Sequence, residues 1–321
     1  MANDKDLRRV ADEVAAARIV KPALSVDVSK WGEPKDTHLL RSPAAFRDDV
    51  VALFADPGCK GEPMPYAKTD QLLRFREGEV TIWGGYHESY KSTLCNELLT
   101  AWAARGVQVA AASLEMPAPA LLHKTVMQAA ANDRPSVARI DEILERLSDA
   151  MTIYDIVGRV PLRNMLAVMH YSAVELGVRH FLLDNLTAIL SVDNDQAGTH
   201  QRFVSEVCTI ARATGMHIHM VAHCNKPERG DESRKPRGYD LRGTGSAPDL
   251  ADNVCMVWRN KPKEAKIDEG RDDDETRKEP DVVVVVDKQR NWDFRGLLNF
   301  WLDKRCLRFK QYGNEDPVPF L

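Results

Sequence analysis

Eight residues, Gly85-Tyr-His-Glu-Ser-Tyr90-Lys91-Ser92, have the types and spacing that bind phosphate. They follow an apolar run, VTIW, and open a helical pattern, the setting in which G-x-x-x-x-G-K-[ST] wraps an anion. Backbone N–H groups at the helix start favour negative charge, and Lys91 would neutralise the outer phosphate oxygens. Ser92 would hold a divalent cation, with Gly85, Ser89, Tyr90 and Thr93 completing the cradle. Tyr90 departs from the pattern, because a glycine usually stands there. A Cβ at that point is costly unless φ is negative, and Glu88 adds a carboxylate near the anion. Two further acids end apolar runs. Glu115, in SLEMP, could polarise a water that attacks a γ-phosphate, and Asp184, in FLLDNL, follows the apolar run Phe181-Leu182-Leu183 at the end of a strand, a pattern in which an acid holds Mg²⁺. Either acid alone is a weak signal, but three strands delivering their groups at the carboxyl ends in this order is a strong coincidence.

The elements needed to position these groups are legible from Glu79 onward. Apolar runs VTIW, VQVAAASLE, VRHFLLDNL, MHIHMVAH, Val254–Trp258 and Val282–Asp287 read as strands. Helical patterns fall at Thr93–Ala104, Pro117–Ala131, Asp141–Met151, Val160–Leu176 and Arg202–Thr214, and FWLD with LRFKQ reads as a closing hairpin. This alternation predicts an α/β fold with a mostly parallel central sheet covered on both faces. Residues 1–65 read as a short helical N-terminal extension. One amphipathic helix spans Asp4 to Arg18, a linker spans Lys21 to Arg41, and a second helix begins at Ser42 with Phe46, Val50, Leu53 and Phe54 on one side. Residues 66–321 form the main domain. Asn225–Arg237 is a basic polar insert, and Lys261–Asp281, with nine acids and six bases, reads as a solvated loop because little in it is apolar.

Composition bounds the rest. The 321 residues carry 44 Lys+Arg and 48 Asp+Glu, a net charge of −4, so any nucleic-acid contact must come from a local patch. Six scattered cysteines without a CxxC pair argue against a disulfide framework or zinc knuckle. The longest aliphatic run, Val282–Val286, is far too short for a bilayer, and the first residues lack an apolar signal core. A cytoplasmic protein without a membrane partner is the expectation, in the host cytoplasm if the chain is phage-encoded.

The blocks LLRFREGEVTIWGG, SLEMP, FLLDNL, VAHCNKPERG, DLRGTGSAPDLADNV and DKQR together resemble the RecA-fold, DnaB-type replicative ring helicases. They are similar to the helicase domain of phage helicase-primases and of the mitochondrial Twinkle helicase. The resemblance spans about Tyr66 to Gln311, and SLEMP and DLRGTGS are its more diagnostic blocks. It implies a RecA-like P-loop NTPase that hydrolyses ATP or another NTP with Mg²⁺, translocates on single-stranded DNA as a ring, a hexamer by the family pattern, and unwinds duplex.

By that resemblance Glu115 is the catalytic glutamate, Asp184 the Mg²⁺-holding acid and His223 the residue that senses the γ-phosphate. Asn225, Lys226, Arg229 and Gly230 fall in the DNA-contacting loop. Arg290, with Lys288 two residues earlier, matches the arginine finger that completes the site of a neighbouring subunit. Arg259, with Trp258, stands where the family packs an arginine on the nucleotide base; the family's base-stacking tyrosine has no clear counterpart in this sequence, and Phe309 is a guess at its place. Since no primase module is apparent, a separate primase, polymerase or loader is expected as a partner. Two alternatives stay open: a RecA-like ATPase that is not a helicase, and a nucleotide-binding scaffold whose P-loop has degenerated at Tyr90.

Overall fold

The structure is a computed structural model that describes residues 40–55, 60–190, 196–225, 227, 232–242 and 247–321. The chain divides into two compact units, Met1–Gly58 and Cys59–Leu321. In the first unit a 3-10 turn, Pro43–Phe46, runs into a helix, Arg47–Ala55. Phe46, Val50, Leu53 and Phe54 all stand exposed, so the apolar side expected of this helix is not buried. The expected helix Asp4–Arg18 lies outside the described residues.

Among the described residues the second unit is built on a nine-stranded sheet. Its strands are β1 (Val80–Gly85), β2 (Val109–Ser113), β3 (Met151–Ile153), β4 (His180–Asp184), β5 (His217–His223), β6 (Asn253–Arg259), β7 (Val282–Gln289), β8 (Gly296–Asp303) and β9 (Arg308–Lys310). Their order across the sheet is β9-β8-β7-β6-β1-β5-β4-β2-β3. Strands β6, β1, β5, β4, β2 and β3 run parallel to their neighbours, whereas β7, β8 and β9 add on in antiparallel fashion. The parallel part puts the carboxyl ends of β1, β2, β4 and β5 along one edge, where a doubly wound sheet binds ligands.

Alternation along the strands feeds two cores. Val80 and Ile82 of β1 join Met165, Met169, Phe203 and Val207 on one face. Trp83 faces the other way and joins Leu94, Leu98, Trp102 and Ile143. Helix α1 (Lys91–Ala103), directly after the phosphate-type loop, is buried along most of its length. A helix sandwiched between sheet and neighbours in this way fixes its N-terminus rigidly, which a phosphate site requires.

Several boundaries differ from the sequence reading. The helix expected over Asp141–Met151 is Val137–Ser148, capped by Ser136 Oγ accepting from the Arg139 N–H at 3.3 Å. Met151–Ile153 instead pairs with β2 at the sheet edge. The helix expected over Val160–Leu176 is Leu162–Val174, because Val160 and Pro161 pair in parallel with Ile189 and Leu190. The expected solvated loop Lys261–Asp281 holds two helices, Lys261–Asp268 and Asp274–Lys278. Caps explain them: Asn260 Oδ1 accepts from the Lys263 N–H at 3.1 Å and Asp273 Oδ1 from the Thr276 N–H at 2.7 Å. The buried Lys263 ammonium, 2.7 Å from Asp281 Oδ1, anchors the first of them. No helix among the described residues is long and apolar enough to cross a membrane.

Candidate nucleotide site

Strand β1 delivers the chain to the loop at Gly85, which pairs with His223 at the end of β5. A Cβ on Gly85 would lie 2.4 Å from the Val257 carbonyl oxygen and 2.5 Å from Ser89 Oγ, so only glycine fits. At the other end of the loop Tyr90 caps α1 with φ 67° and ψ 18°, the left-handed conformation. The sequence reading makes a Cβ there costly unless φ is negative; φ is positive, so the tyrosine adopts the glycine geometry at about 1–2 kcal/mol. Its ring compensates by lying against the Arg259 guanidinium, 4.8 Å from ring centroid to Cζ. Glu264 Oε2 steadies Arg259 by accepting from Nε at 2.6 Å, and burial pushes the Tyr90 hydroxyl above its ordinary pKa.

Lys91 is 4% exposed and donates to the carbonyls of Gly85 at 3.1 Å and Tyr86 at 2.6 Å, and to Ser89 Oγ at 3.3 Å. An ammonium folded back on its own loop is in reach of an anion that would replace those carbonyls, and burial already pulls its pKa down. Together with Ser89, Tyr90, Ser92, Glu115 and Arg259, it lines a cavity of about 350 Å³ to which Thr93 also contributes.

The two acids come from adjacent parallel strands, β2 and β4, whose register pairs Ser113 with Asp184. Asp184 is 5% exposed, its carboxyl is pushed up by burial against the opposing hydrogen bond from Ser92, and its Oδ1 has no hydrogen-bond partner. A buried carboxylate oxygen left unpaired beside a serine hydroxyl is the donor set of a hard cation. Among the described residues no three His, Cys, Asp or Glu side chains converge as a metal cage. Mg²⁺ suits this arrangement, because it takes one or two protein ligands and completes its shell with water and phosphate oxygens.

Glu115 is more open and stands beside His223 Nε2, 3.4 Å from its Oε1. The Glu115 carboxyl lies below the usual carboxylate range, the polar surroundings of His223, the Asn185 amide and Lys91 outweighing some desolvation. An ionised carboxylate over the loop can accept a proton from an attacking water. Asn185, inside FLLDNL but absent from the residues the sequence singles out, donates from Nδ2 to Glu115 Oε1 and lies 3.0 Å from His223 Nε2. Its only sequence signal is its place next to Asp184.

The remaining residues are placed as follows. Lys288 Nζ donates to the carbonyls of Pro248, Asp249 and Ala251 at 3.0, 2.8 and 2.7 Å, and Arg290 Nη1 pairs with Asp252 Oδ1 at 2.8 Å. Neither lines the cavity of its own chain. Asn225 borders a second cavity of about 850 Å³ that shares His87 and His223 with the first. Lys226, Arg229 and Gly230 lie outside the described residues, as do Gly243 to Ser246 of the DLRGTGS block.

Two expectations are overturned. Trp258 is buried on the opposite side of β6, its indole N–H donating to the Glu232 carbonyl at 2.8 Å, so it does not accompany Arg259 into the cavity. Phe309 is packed edge-on against Phe300 in the core and offers no stacking face. The Trp258 departure comes from strand alternation: neighbours along a strand face opposite ways.

A family profile described as an AAA domain matches residues 60–229. A DNA helicase/primase of Enterobacteria phage T3 is 27% identical over 235 residues, covering 68% of this chain and 40% of the relative. The chain therefore spans about two fifths of that curated relative's length. Among solved structures, one isolated ATPase domain superposes with a TM-score of 0.70 at 14% identity, over 84% of this chain and 99% of that one. A DnaB-like replicative helicase, solved for its interactions with primase, superposes with a TM-score of 0.71 at 14% identity, over 95% of this chain and 75% of that one. With more than half its length inside the matched profile, and with a sheet that superposes on these two structures, the chain belongs to the AAA domain family and has the RecA-like fold of DnaB-type helicases.

Proposed function

We propose that the chain is an ATP-dependent replicative DNA helicase that translocates on single-stranded DNA as a ring, most simply a hexamer. The observation that carries this reading is the convergence of Lys91, Ser92, Glu115 and His223 on one cavity, with the buried Asp184 hydrogen-bonded to Ser92. A degenerate scaffold would be expected to have lost several of these groups, so Tyr90 with its Arg259 partner is a tolerated variation.

The residues divide the work. Lys91 exchanges the Gly85 and Tyr86 carbonyls for β- and γ-phosphate oxygens of the nucleotide, and the N-terminus of α1 holds the same charge. Ser92 and Asp184 would hold Mg²⁺, which when bound screens charge on the transferring phosphoryl group. Glu115 orients a water in line with the γ-phosphate and takes up its proton. His223, at the end of β5, touches both Glu115 and the segment that continues through Asn225 toward Lys226, Arg229 and Gly230. Hydrolysis at the cavity is thereby linked to the loop that would grip the DNA backbone. Arg290, with Lys288 beside it, acts on the nucleotide of the adjacent subunit, which makes assembly a condition of turnover. The phage relative is a helicase/primase and the DnaB-like helicase was solved for its interactions with primase, and both support a primase as working partner here.

Displacement of a labelled strand from a forked duplex tests the reading, with ATP and with a non-hydrolysable analogue. ATP-dependent displacement that weakens as salt rises is the expected result, because backbone contacts release counterions. ATP turnover without any displacement on forks of either polarity would refute it. Closed rings in electron micrographs support the reading, and open filaments would count against it.

A further inference from the structure

We propose that Asn185 is a positioning residue that fixes both the Glu115 carboxylate and the tautomer of His223; the inference rests on the nucleotide-site reading above. Asn185 is 1% exposed at the end of β4, and its side chain bridges the ends of β2 and β5. Its Nδ2 donates to Glu115 Oε1 and lies 3.0 Å from His223 Nε2, while the Thr187 hydroxyl donates to its Oδ1.

The chemistry of the partners leaves one arrangement. An ionised carboxylate only accepts, so the amide must turn its NH₂ toward Glu115; the flipped amide would set two acceptors face to face. The Thr187 hydroxyl holds the amide in that sense by donating to Oδ1. The second amide hydrogen is then available to His223 Nε2. That nitrogen either accepts from Asn185 or donates to Glu115, and it cannot do both. The amide contact, at 3.0 Å, is shorter than the carboxylate contact, at 3.4 Å. With the amide as its nearer partner, His223 Nε2 serves as the acceptor and the ring proton sits on Nδ1, and Glu115 takes its orienting hydrogen bond from the amide.

Two groups on different strands thus share one donor. Without Asn185 the imidazole can move its proton to Nε2 and draw Glu115 to itself, away from the position of the attacking water. Misplacing a catalytic group by about 1 Å costs on the order of 100-fold in rate.

The test uses the full chain and its Asn185→Ala and Thr187→Val variants. Steady-state kinetics separate kcat from KM for ATP, and long-range ¹H–¹⁵N spectra read the His223 tautomer, assigned with His223→Gln. The wild type should show the Nδ1–H tautomer. Asn185→Ala should shift it toward Nε2–H and lower kcat by roughly 10- to 100-fold, with KM within about two-fold. Thr187 is exposed, so Thr187→Val leaves the fold intact, and it should move both readouts the same way by a smaller factor. An Nε2–H tautomer in the wild type, or an unchanged kcat in Asn185→Ala, would overturn the proposal. The expected tautomers in a wild type without turnover would uphold the role of Asn185 in the geometry and refute the hydrolase reading instead.

Discussion

Acidification should unfold this protein through three imidazoles buried side by side in the sheet. His180 on β4 and His217 and His219 on β5 are each at most 3% exposed, packed against Trp102 and Phe75. Their hydrogen bonds require the neutral form. Trp83 donates from Nε1 to His219 Nδ1 at 3.2 Å, which leaves the His219 Nε2–H to donate to His180 Nδ1 at 3.2 Å. His217 donates from Nδ1 to the Arg76 carbonyl at 2.6 Å and accepts from the Thr81 hydroxyl at 2.9 Å. Burial pulls His217 down to about 4, and it holds His180 and His219 well below the ordinary imidazole value. The unfolded chain binds these protons below pH ~6.5 and the native one does not, so stability is fully present above that pH and falls as pH drops toward 4. Each imidazole still neutral at pH 5 costs about 1.4 kcal/mol per pH unit below 6.5, or about 2 kcal/mol, and the three together about 6 kcal/mol.

Two buried carboxyls oppose them, Asp184 and, with the larger effect, Glu97. Glu97, raised to about 7 by burial, takes up its proton in the native state first, and that returns about 2 kcal/mol between pH 7 and pH 5. The imidazoles win, leaving a net loss of about 4 kcal/mol against a total of about 5–15 kcal/mol for a domain. Urea unfolding at pH 7, 6 and 5 at constant ionic strength measures it, and His217→Asn should remove about a third of the imidazole part. A loss below about 1 kcal/mol over that range would refute the reasoning.

Three further predictions concern other parts of the molecule. Arg308→Met removes the cation 3.0 Å from Glu97 Oε1 in a pair whose side chains are 7% and 0% exposed. It should cost roughly 3–5 kcal/mol at pH 8 and clearly less at pH 6, where Glu97 is protonated; equal losses in thermal or urea unfolding at the two pH values would contradict this. Tyr90→Gly trades about 1–2 kcal/mol of left-handed strain for the lost Arg259 contact and greater freedom of the unfolded chain. Its stability should stay within about 1 kcal/mol of wild type by calorimetry, and a change above about 2 kcal/mol would show that the trade is misjudged. Arg290→Ala and Glu115→Gln chains, each inactive alone, should regain part of the ATP turnover when co-assembled, since some interfaces then hold an intact Glu115 and an intact Arg290. Absence of any recovery in co-assembled rings would place the arginine's action within one subunit.

What the sequence discloses depends on how local the signal is. Gly85, Glu115 and Asp184 sit at or just past strand ends and Lys91 and Ser92 at the start of α1, all within short linear patterns that type and spacing disclose. Asn185 stays hidden because its partners, Glu115 and His223, belong to strands β2 and β5 on either side of β4. The two helices in 261–281 escape a periodicity argument because capping by Asn260 and Asp273 substitutes for the apolar face that the pattern lacks. The imidazole cluster is equally invisible: His180, His217 and His219 look like scattered strand residues until the register aligns His180 with His217. Tyr90 is the instructive case. Its positive φ is what the turn requires of any residue there, and the contact that makes it tolerable comes from Arg259, far away in sequence and next to Tyr90 only in the fold.

The most direct test of the central claim is steady-state ATP hydrolysis, with and without single-stranded DNA, by the wild type and by Glu115→Gln. Turnover that rises with DNA and is lost in Glu115→Gln, while nucleotide binding persists, is the predicted result. Nucleotide binding without hydrolysis by the wild type, or DNA-stimulated hydrolysis that survives Glu115→Gln, would contradict the account.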